Sequence, residues 1–317
     1  MNLLEFFEKV YRVYHPKLRS DQAIATMRQQ IKCFVVYLAE HEIKADTDAL
    51  TEDHLVQFSS HYVEQGFSPA TCNSVLRAVR SIWIEAQKRG YTSTRHEVHL
   101  LKEPERLPEA WFPQDMEKIL RSAAKEKNEI GQVDAGIWWT ALILVVYWTG
   151  ARISAAMHIR SCDVDLESGT IRLPFDYQKT YRDELRDIPE EVCELLKRFN
   201  KDRNEFLFGD WPNDNWQNRT IKKGFEQLGV HYHRILTRAG LPATPRDKWH
   251  KLRRTFGTRV AAAAGRAIAQ ELLGHRHMQT TERYLDPRQI PRHQATKIID
   301  GPAINPELLE NGQGAEK

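Results

Sequence analysis

Apolar positions in the first hundred residues recur at spacings of three and four. In "SDQAIATMRQQIKCFVVYLAEH", with Ser20 as N-cap, Ile24, Met27, Ile31, Phe34, Val35 and Leu38 fall on one stripe, which predicts an amphipathic helix. "TEDHLVQFSSHYVEQG" repeats the pattern from Thr51 to a closing Gly66, and "SPATCNSVLRAVRSIWIEAQKRG" carries Ser68 as N-cap, Pro69 at the first helical position and Gly90 as stop. The pattern predicts a bundle of about four short helices over 1–101. It breaks at "KEPERLPEAWFPQD", where Pro104, Pro108 and Pro113 stand among charges, and this marks an interdomain linker over 102–113.

A second domain is expected over 114–298. "PQDMEKILRSAAKE" has helical periodicity, and "DAGIWWTALILVVYWTG" is an apolar helix ended by Gly150. The period then changes to two: "GTIRLPF" alternates Ile171, Leu173 and Phe175, "ELRDIPE" offers Leu185 and Ile188, and the polar "DYQKTYRD" between them reads as a hairpin turn. Helices return after about residue 190, including "TFGTRVAAAAGRAIAQELLG", which ends at Gly274 as a left-handed cap. Residues 299–317 are polar and interrupted by Pro and Gly, which predicts a tail. The fold class expected is mainly α: an N-terminal helical bundle followed by a mixed α/β domain, mostly α with a small β-hairpin sheet.

Composition agrees with two domains, since 317 residues with 41% hydrophobic content exceed one usual compact domain. The longest apolar run, Ile137 to Trp148, is 12 residues, short of the roughly 20 that cross a bilayer, and the first residues show no secretion signal. Cys33, Cys72, Cys162 and Cys193 stand far apart, arguing against a zinc site or disulfide framework and for a reducing cytoplasm. The net charge of +3 is small, but Arg246 to Lys297 holds 12 Lys and Arg against four acids. Such a local excess suits a phosphate-rich partner, although a solvated basic face has the same composition.

Within that basic stretch, "WHKLRRTFGT" sets His250 and Arg253 three apart at a helix start, so both point the same way. A guanidinium fork and an imidazole suit a phosphodiester, the first binding nonbridging oxygens and the second moving a proton. Arg152 in "TGARIS" follows a glycine turn and falls in the first turn of a helix, an unfavourable place for a cation unless it holds an anion or a nearby acid. Lys179 sits at the hairpin tip, where it is either solvated or free to protonate a leaving oxygen. His275 and Tyr284 are nine apart in "GHRHMQTTERYLDP"; on one continuous helix they would lie on opposite faces. A shared site therefore requires a break, which Gly274, a loop over "HRHMQ" and a short helix from Thr280 stopped by Pro287 would supply. Each residue alone has an ordinary structural explanation, a packed tyrosine included.

Taken in order, "TGARIS", "QKT", "HKLRRTFGT" and "ELLGHRHMQTTERYLDP" resemble the tyrosine recombinase (phage integrase) family, in its two-domain, Xer- or Cre-like form, over nearly the whole chain. The resemblance implies a core-binding domain in the first hundred residues and a catalytic domain from about 110. It implies that Arg152 and Arg253 clamp the scissile phosphate and stabilise its transition state. It further implies that His250 and His275 bind phosphate oxygens, with His250 accepting the proton of Tyr284, and that Lys179 is the general acid for the 5′-hydroxyl leaving group. Tyr284 would attack to give a 3′-phosphotyrosyl enzyme, with no cofactor and no metal.

Two positions depart from the family pattern. Ala155 falls where the family usually has an acid that braces the site, and Arg254 replaces a histidine. For the general acid, Lys222, Lys223 and Arg182 compete with Lys179. The partners implied are double-stranded DNA with specific recombination sites and a homotetramer on two such sites, the tail after about Ile298 docking onto a neighbour; no membrane or small-molecule substrate is implied. The alternatives are a catalytically inactive site-specific DNA-binding protein and a type IB-like topoisomerase. The combined set Arg152, His250, Arg253, His275 and Tyr284 opposes the first, and the helical N-terminal domain the second.

Overall fold

The computed structural model describes residues 1–15, 21–94, 97–177, 182–211 and 221–291, without the side chains of 177 and 221–223. The chain divides into two compact units, Met1–Arg106 and Leu107–Lys317. Ser20, the hairpin tip with Lys179 and the tail lie outside the described residues, as do the side chains of Lys222 and Lys223.

The first unit is helical. Short helices α1 (Leu3–Phe6) and α2 (Arg12–Tyr14) flank a π-helical turn, Phe7–Tyr11, and are followed by α3 (Asp21–Glu40), α4 (Glu52–Glu64) and α5 (Pro69–Lys88). The caps are chemical as well as positional. Thr51 Oγ1 accepts from the His54 amide at 3.4 Å, and Ser68 Oγ accepts from the Thr71 amide at 3.2 Å with Pro69 opening the helix. Of the predicted stripe on α3, Ile31, Phe34 and Leu38 are fully buried beside Phe6, Phe58 and Leu76, while Ile24, Met27 and Val35 pack at the edge of that core.

In the second unit α6 (Pro113–Ala123) leads through a two-stranded ribbon, β1 (Glu129–Ile130) and β2 (Val133–Asp134), into α7 (Ala135–Thr149). Helix α7 is apolar on nearly every side, and Trp138, Trp139, Leu142, Ile143, Val145 and Val146 are wholly buried, so it forms the centre around which the other elements pack. No helix among the described residues is long and apolar enough to cross a membrane. Gly150 caps α7 with φ of 63°, and a Cβ there would lie 2.2 Å from the Phe256 ring. Only glycine meets both demands, and this turn delivers Arg152 to the start of α8 (Ile153–Ala156).

A three-stranded antiparallel sheet in the order β3 (Val164–Asp165), β4 (Thr170–Leu173), β5 (Glu184–Asp187) follows. Ile171 pairs with Arg186 and Leu173 with Glu184, so β5 turns two charged side chains to the face on which Ile171 and Leu173 are buried. Leu185 is consequently 68% exposed, and Phe175 lies outside the strand in an exposed 3-10 turn. The apolar alternation therefore continues to Ile188 but fails at these two positions.

The remaining helices are α9 (Glu190–Leu196), α10 (Ile221–Arg238), α11 (Trp249–Ala264), α12 (Arg266–Leu272) and α13 (Met278–Glu282). The Ala-rich stretch expected as one helix is two, because Gly265 adopts φ of 92° between α11 and α12. Before α6, Ala110 and Trp111 are already buried in the second unit. The Trp111 amide donates to Thr255 Oγ1 on α11 at 2.9 Å, and the Lys251 ammonium lies 3.7 Å from the centre of the Trp111 ring.

Candidate active site

Helix α11 carries His250 and Arg253 on adjoining turns, His250 exposed and Arg253 only 3% exposed. The Arg253 guanidinium donates through Nη1 to the Gly150 carbonyl and through Nη2 to the Leu273 carbonyl. One side chain thus joins the cap of α7 to the end of α12. Gly274, with φ of 62°, then turns the chain away, and α13 begins at Met278, two residues earlier than Thr280. Tyr284 stands in the turn just after α13, its amide donating to the Thr281 carbonyl at 2.8 Å.

The break brings together what a continuous helix would separate. The half-buried Tyr284 ring has the His250 ring centre 4.8 Å away and the His275 ring centre 4.6 Å away, with interplanar angles of 65° and 63°. The Arg253 guanidinium carbon is 5.9 Å from the Tyr284 ring centre. Arg152, half-buried, occupies the N-cap of α8 in extended conformation, one step before the helical turn expected for it.

Charge and burial set the protonation of this cluster. Burial, then the positive fields of Arg253, Arg152 and His250, pushes His275 down to about 4, so its imidazole is neutral at pH 7. His275 Nδ1 lies 3.1 Å from Thr281 Oγ1, while Nε2 is buried without a hydrogen-bond partner among the described residues. Arg253 is pushed down to about 10 by burial and by Arg152, against the opposing pull of Tyr284 and Glu184, and remains a cation at neutral pH. The arrangement is a concentrated positive site around a phenol, with a neutral imidazole and an exposed imidazole on its two sides. Such a site can bind an anion and assist a phenolic attack.

Several supporting residues are absent from the motif reading. Thr258 Oγ1, fully buried on α11, donates to the Tyr284 carbonyl at 3.4 Å and accepts the Asp286 amide at 3.0 Å. The threonine pair in "QTTERY" was the available signal for the His275 partner, but it is Thr281 that touches the imidazole. Asp286 is fully buried and accepts from the Ala110 amide at 3.0 Å and from Arg288 Nη2 at 2.7 Å. It ties the segment behind Tyr284 to the start of the second unit.

Arg288 and the donated amides hold the Asp286 carboxyl down at about 2 despite its burial. Its folded pKa lies below the ordinary carboxylate value, so the stability it contributes is present above about pH 4 and is lost as pH falls towards about 2. We expect Asp286→Asn to cost about 2 kcal/mol at pH 7, read as a lower urea midpoint, with the gap to wild type closing between about pH 4 and pH 2. An unchanged midpoint at pH 7 would show that the carboxylate charge contributes nothing there.

A sequence profile of the phage integrase family matches residues 112–289. Tyrosine recombinase XerC of Oceanobacillus iheyensis is 26% identical over 302 residues, 90% of this chain and 92% of its own. Tyrosine recombinase XerD of Listeria innocua is 26% identical over 280 residues, 84% of this chain and 88% of its own. The fold is similar to that of the Tn1549 transposon integrase in complex with a circular intermediate DNA, with a TM-score of 0.67 at 18% identity over 90% of this chain and 95% of that one. It is also similar to a lambda integrase dimer bound to a COC′ core site, with a TM-score of 0.68 at 15% identity over 93% and 99% of the two chains. The matched segment is more than half of the chain and contains Arg152, His250, Arg253, His275 and Tyr284, and the chain belongs to the phage integrase family, the tyrosine recombinases.

Proposed function

We propose that this protein is a site-specific DNA recombinase whose nucleophile is Tyr284. The observation that carries the reading is the seating of the Tyr284 ring between His250 and His275 beside Arg253. Arg152 and Arg253 hold the nonbridging oxygens of the scissile phosphate and neutralise the charge that grows on them. His275, neutral, donates a hydrogen bond to a phosphate oxygen from Nε2. His250 accepts the phenolic proton as the Tyr284 oxygen forms its bond to phosphorus. The bond to the 5′-oxygen breaks, and that oxygen takes a proton from Lys179, giving a 3′-phosphotyrosyl enzyme and a free 5′-hydroxyl.

The phosphodiester is exchanged, not hydrolysed, so a 5′-hydroxyl from another strand reverses the step without ATP. Residues 1–101 act as the core-binding domain and 114–298 as the catalytic domain. Their DNA-bound fold relatives support duplex DNA as partner. Exchange between two duplexes needs a cut on each of four strands, which fits a homotetramer on two sites, one Tyr284 per strand.

The test is a nicked suicide duplex carrying a recognition site isolated by binding selection. An SDS-resistant adduct is expected, with the label on the 3′-phosphate side, and proteolysis should leave it on the peptide containing Tyr284. Label on any other peptide, or no adduct on a site the protein binds, would overturn the reading.

A further inference from the structure

Strand β5 carries its charged residues on the wrong side for an ordinary amphipathic strand. Arg186 is only 8% exposed and pairs with the fully buried Ile171, while Glu184 sits opposite Leu173 with its side chain mostly covered. Burying a guanidinium is costly unless its donors are used. Arg186 Nη2 donates to the Leu272 carbonyl at 2.6 Å and to Glu184 Oε2 at 2.7 Å, and Nη1 donates to the Leu185 carbonyl at 2.8 Å.

Leu272 is the last residue of α12 and Leu273 its C-cap, where backbone carbonyls have no helical partner and the helix presents its negative pole. Arg186 from β5 takes the first of these carbonyls and Arg253 from α11 takes the second. Gly274 and His275 come next, so two guanidiniums fix the point from which the segment bearing His275 and Tyr284 departs. Two cations on consecutive carbonyls repel each other, and Glu184 is the carboxylate bonded into this arrangement. Ala155, the position at which family members usually carry an acid, is wholly buried and offers no acceptor side chain.

We propose that Glu184 and Arg186 are positioning residues for strand cleavage: Arg186 anchors the end of α12, and Glu184 supplies the counter-charge that lets Arg186 and Arg253 be held side by side. The inference rests on the assignment of Tyr284 and Arg253 to the cleavage chemistry. Glu184 also favours the charged form of Arg253, opposing the downward pushes of burial and Arg152. Because β5 follows the segment of the sequence that contains Lys179, the same pair joins that strand to the end of α12, from which the segment bearing His275 and Tyr284 departs.

The experiment is single-turnover adduct formation on a suicide duplex at saturating DNA, with wild type and Tyr284→Phe alongside. Glu184→Gln, which keeps shape and loses charge, is expected to slow adduct formation by about 10- to 100-fold. Its DNA affinity should stay close to wild type and the protein should remain folded at the assay temperature although its melting temperature falls, because a buried guanidinium loses its counter-charge, and Glu184→Asp should recover the rate to within about threefold. Arg186→Met should be slowed as well; if it does not fold, the Glu184 variants decide alone. A Glu184→Gln rate equal to wild type, or a loss matched by equal loss of DNA affinity or folded protein, overturns the inference while leaving the Tyr284 reading intact. Wild type without any adduct overturns both.

Discussion

Tyr284→Phe should abolish the covalent adduct while leaving DNA binding and folding close to wild type. The substitution removes one oxygen and keeps the ring that packs between His250 and His275 at 4.8 and 4.6 Å. The backbone bonds that seat the residue, its amide to Thr281 and its carbonyl from Thr258, do not involve the phenol. Affinity for DNA comes mainly from many phosphate contacts, so one lost hydroxyl changes it little. Without the oxygen there is no atom to bond to phosphorus, and the rate of adduct formation should fall by about 10⁴-fold or more. A gel shift, a melting curve and an SDS gel on one preparation read the three quantities. An adduct that persists in the variant would place the nucleophile elsewhere.

What the amino-acid order revealed of this site depended on how local each requirement is. The caps at Thr51, Ser68 and Gly150 are short-range chemistry and are met as written. The break between His275 and Tyr284 was legible as a geometric necessity, because a helix turns about 100° per residue. Its location was less so: α13 starts at Met278 because His277 takes an extended N-cap conformation, not because Thr280 caps it. The split at Gly265 was obscured by alanines on both sides, whose helix propensity masks one glycine.

The supporting residues were hidden for a different reason. Thr258, Asp286 and Arg186 act through bonds to backbone groups far away in sequence, and no spacing rule reports those partners. Strand β5 even misleads, because its alternation places Leu185 in solvent and charges inside. That inversion costs burial energy, which the bonds of Arg186 to Leu272 and Glu184 offset.

Arg253→Lys should be nearly as damaging as loss of the nucleophile, although it keeps a positive charge. The guanidinium reaches two carbonyls in different directions, Gly150 and Leu273, and still has donors left for an anion. A lysine ammonium is a single point with three donors and cannot span both carbonyls and a phosphate. One buried carbonyl loses its partner and the proposed phosphate clamp loses its fork, so cleavage should slow by about 10³-fold. The charge itself becomes sensitive to pH. Burial and Arg152 bring Arg253 to about 10, well above the working range. The same push applied to lysine's lower ordinary value would bring the variant's ammonium down towards the working range. Wild-type adduct formation should therefore hold its rate from about pH 7 to 9, whereas the residual activity of Arg253→Lys should fall as pH rises through that interval and the ammonium loses its proton. Single-turnover rates on a suicide duplex across the interval distinguish the two, and a variant whose rate is flat with pH and close to wild type would show that charge alone, without the fork, suffices at this position.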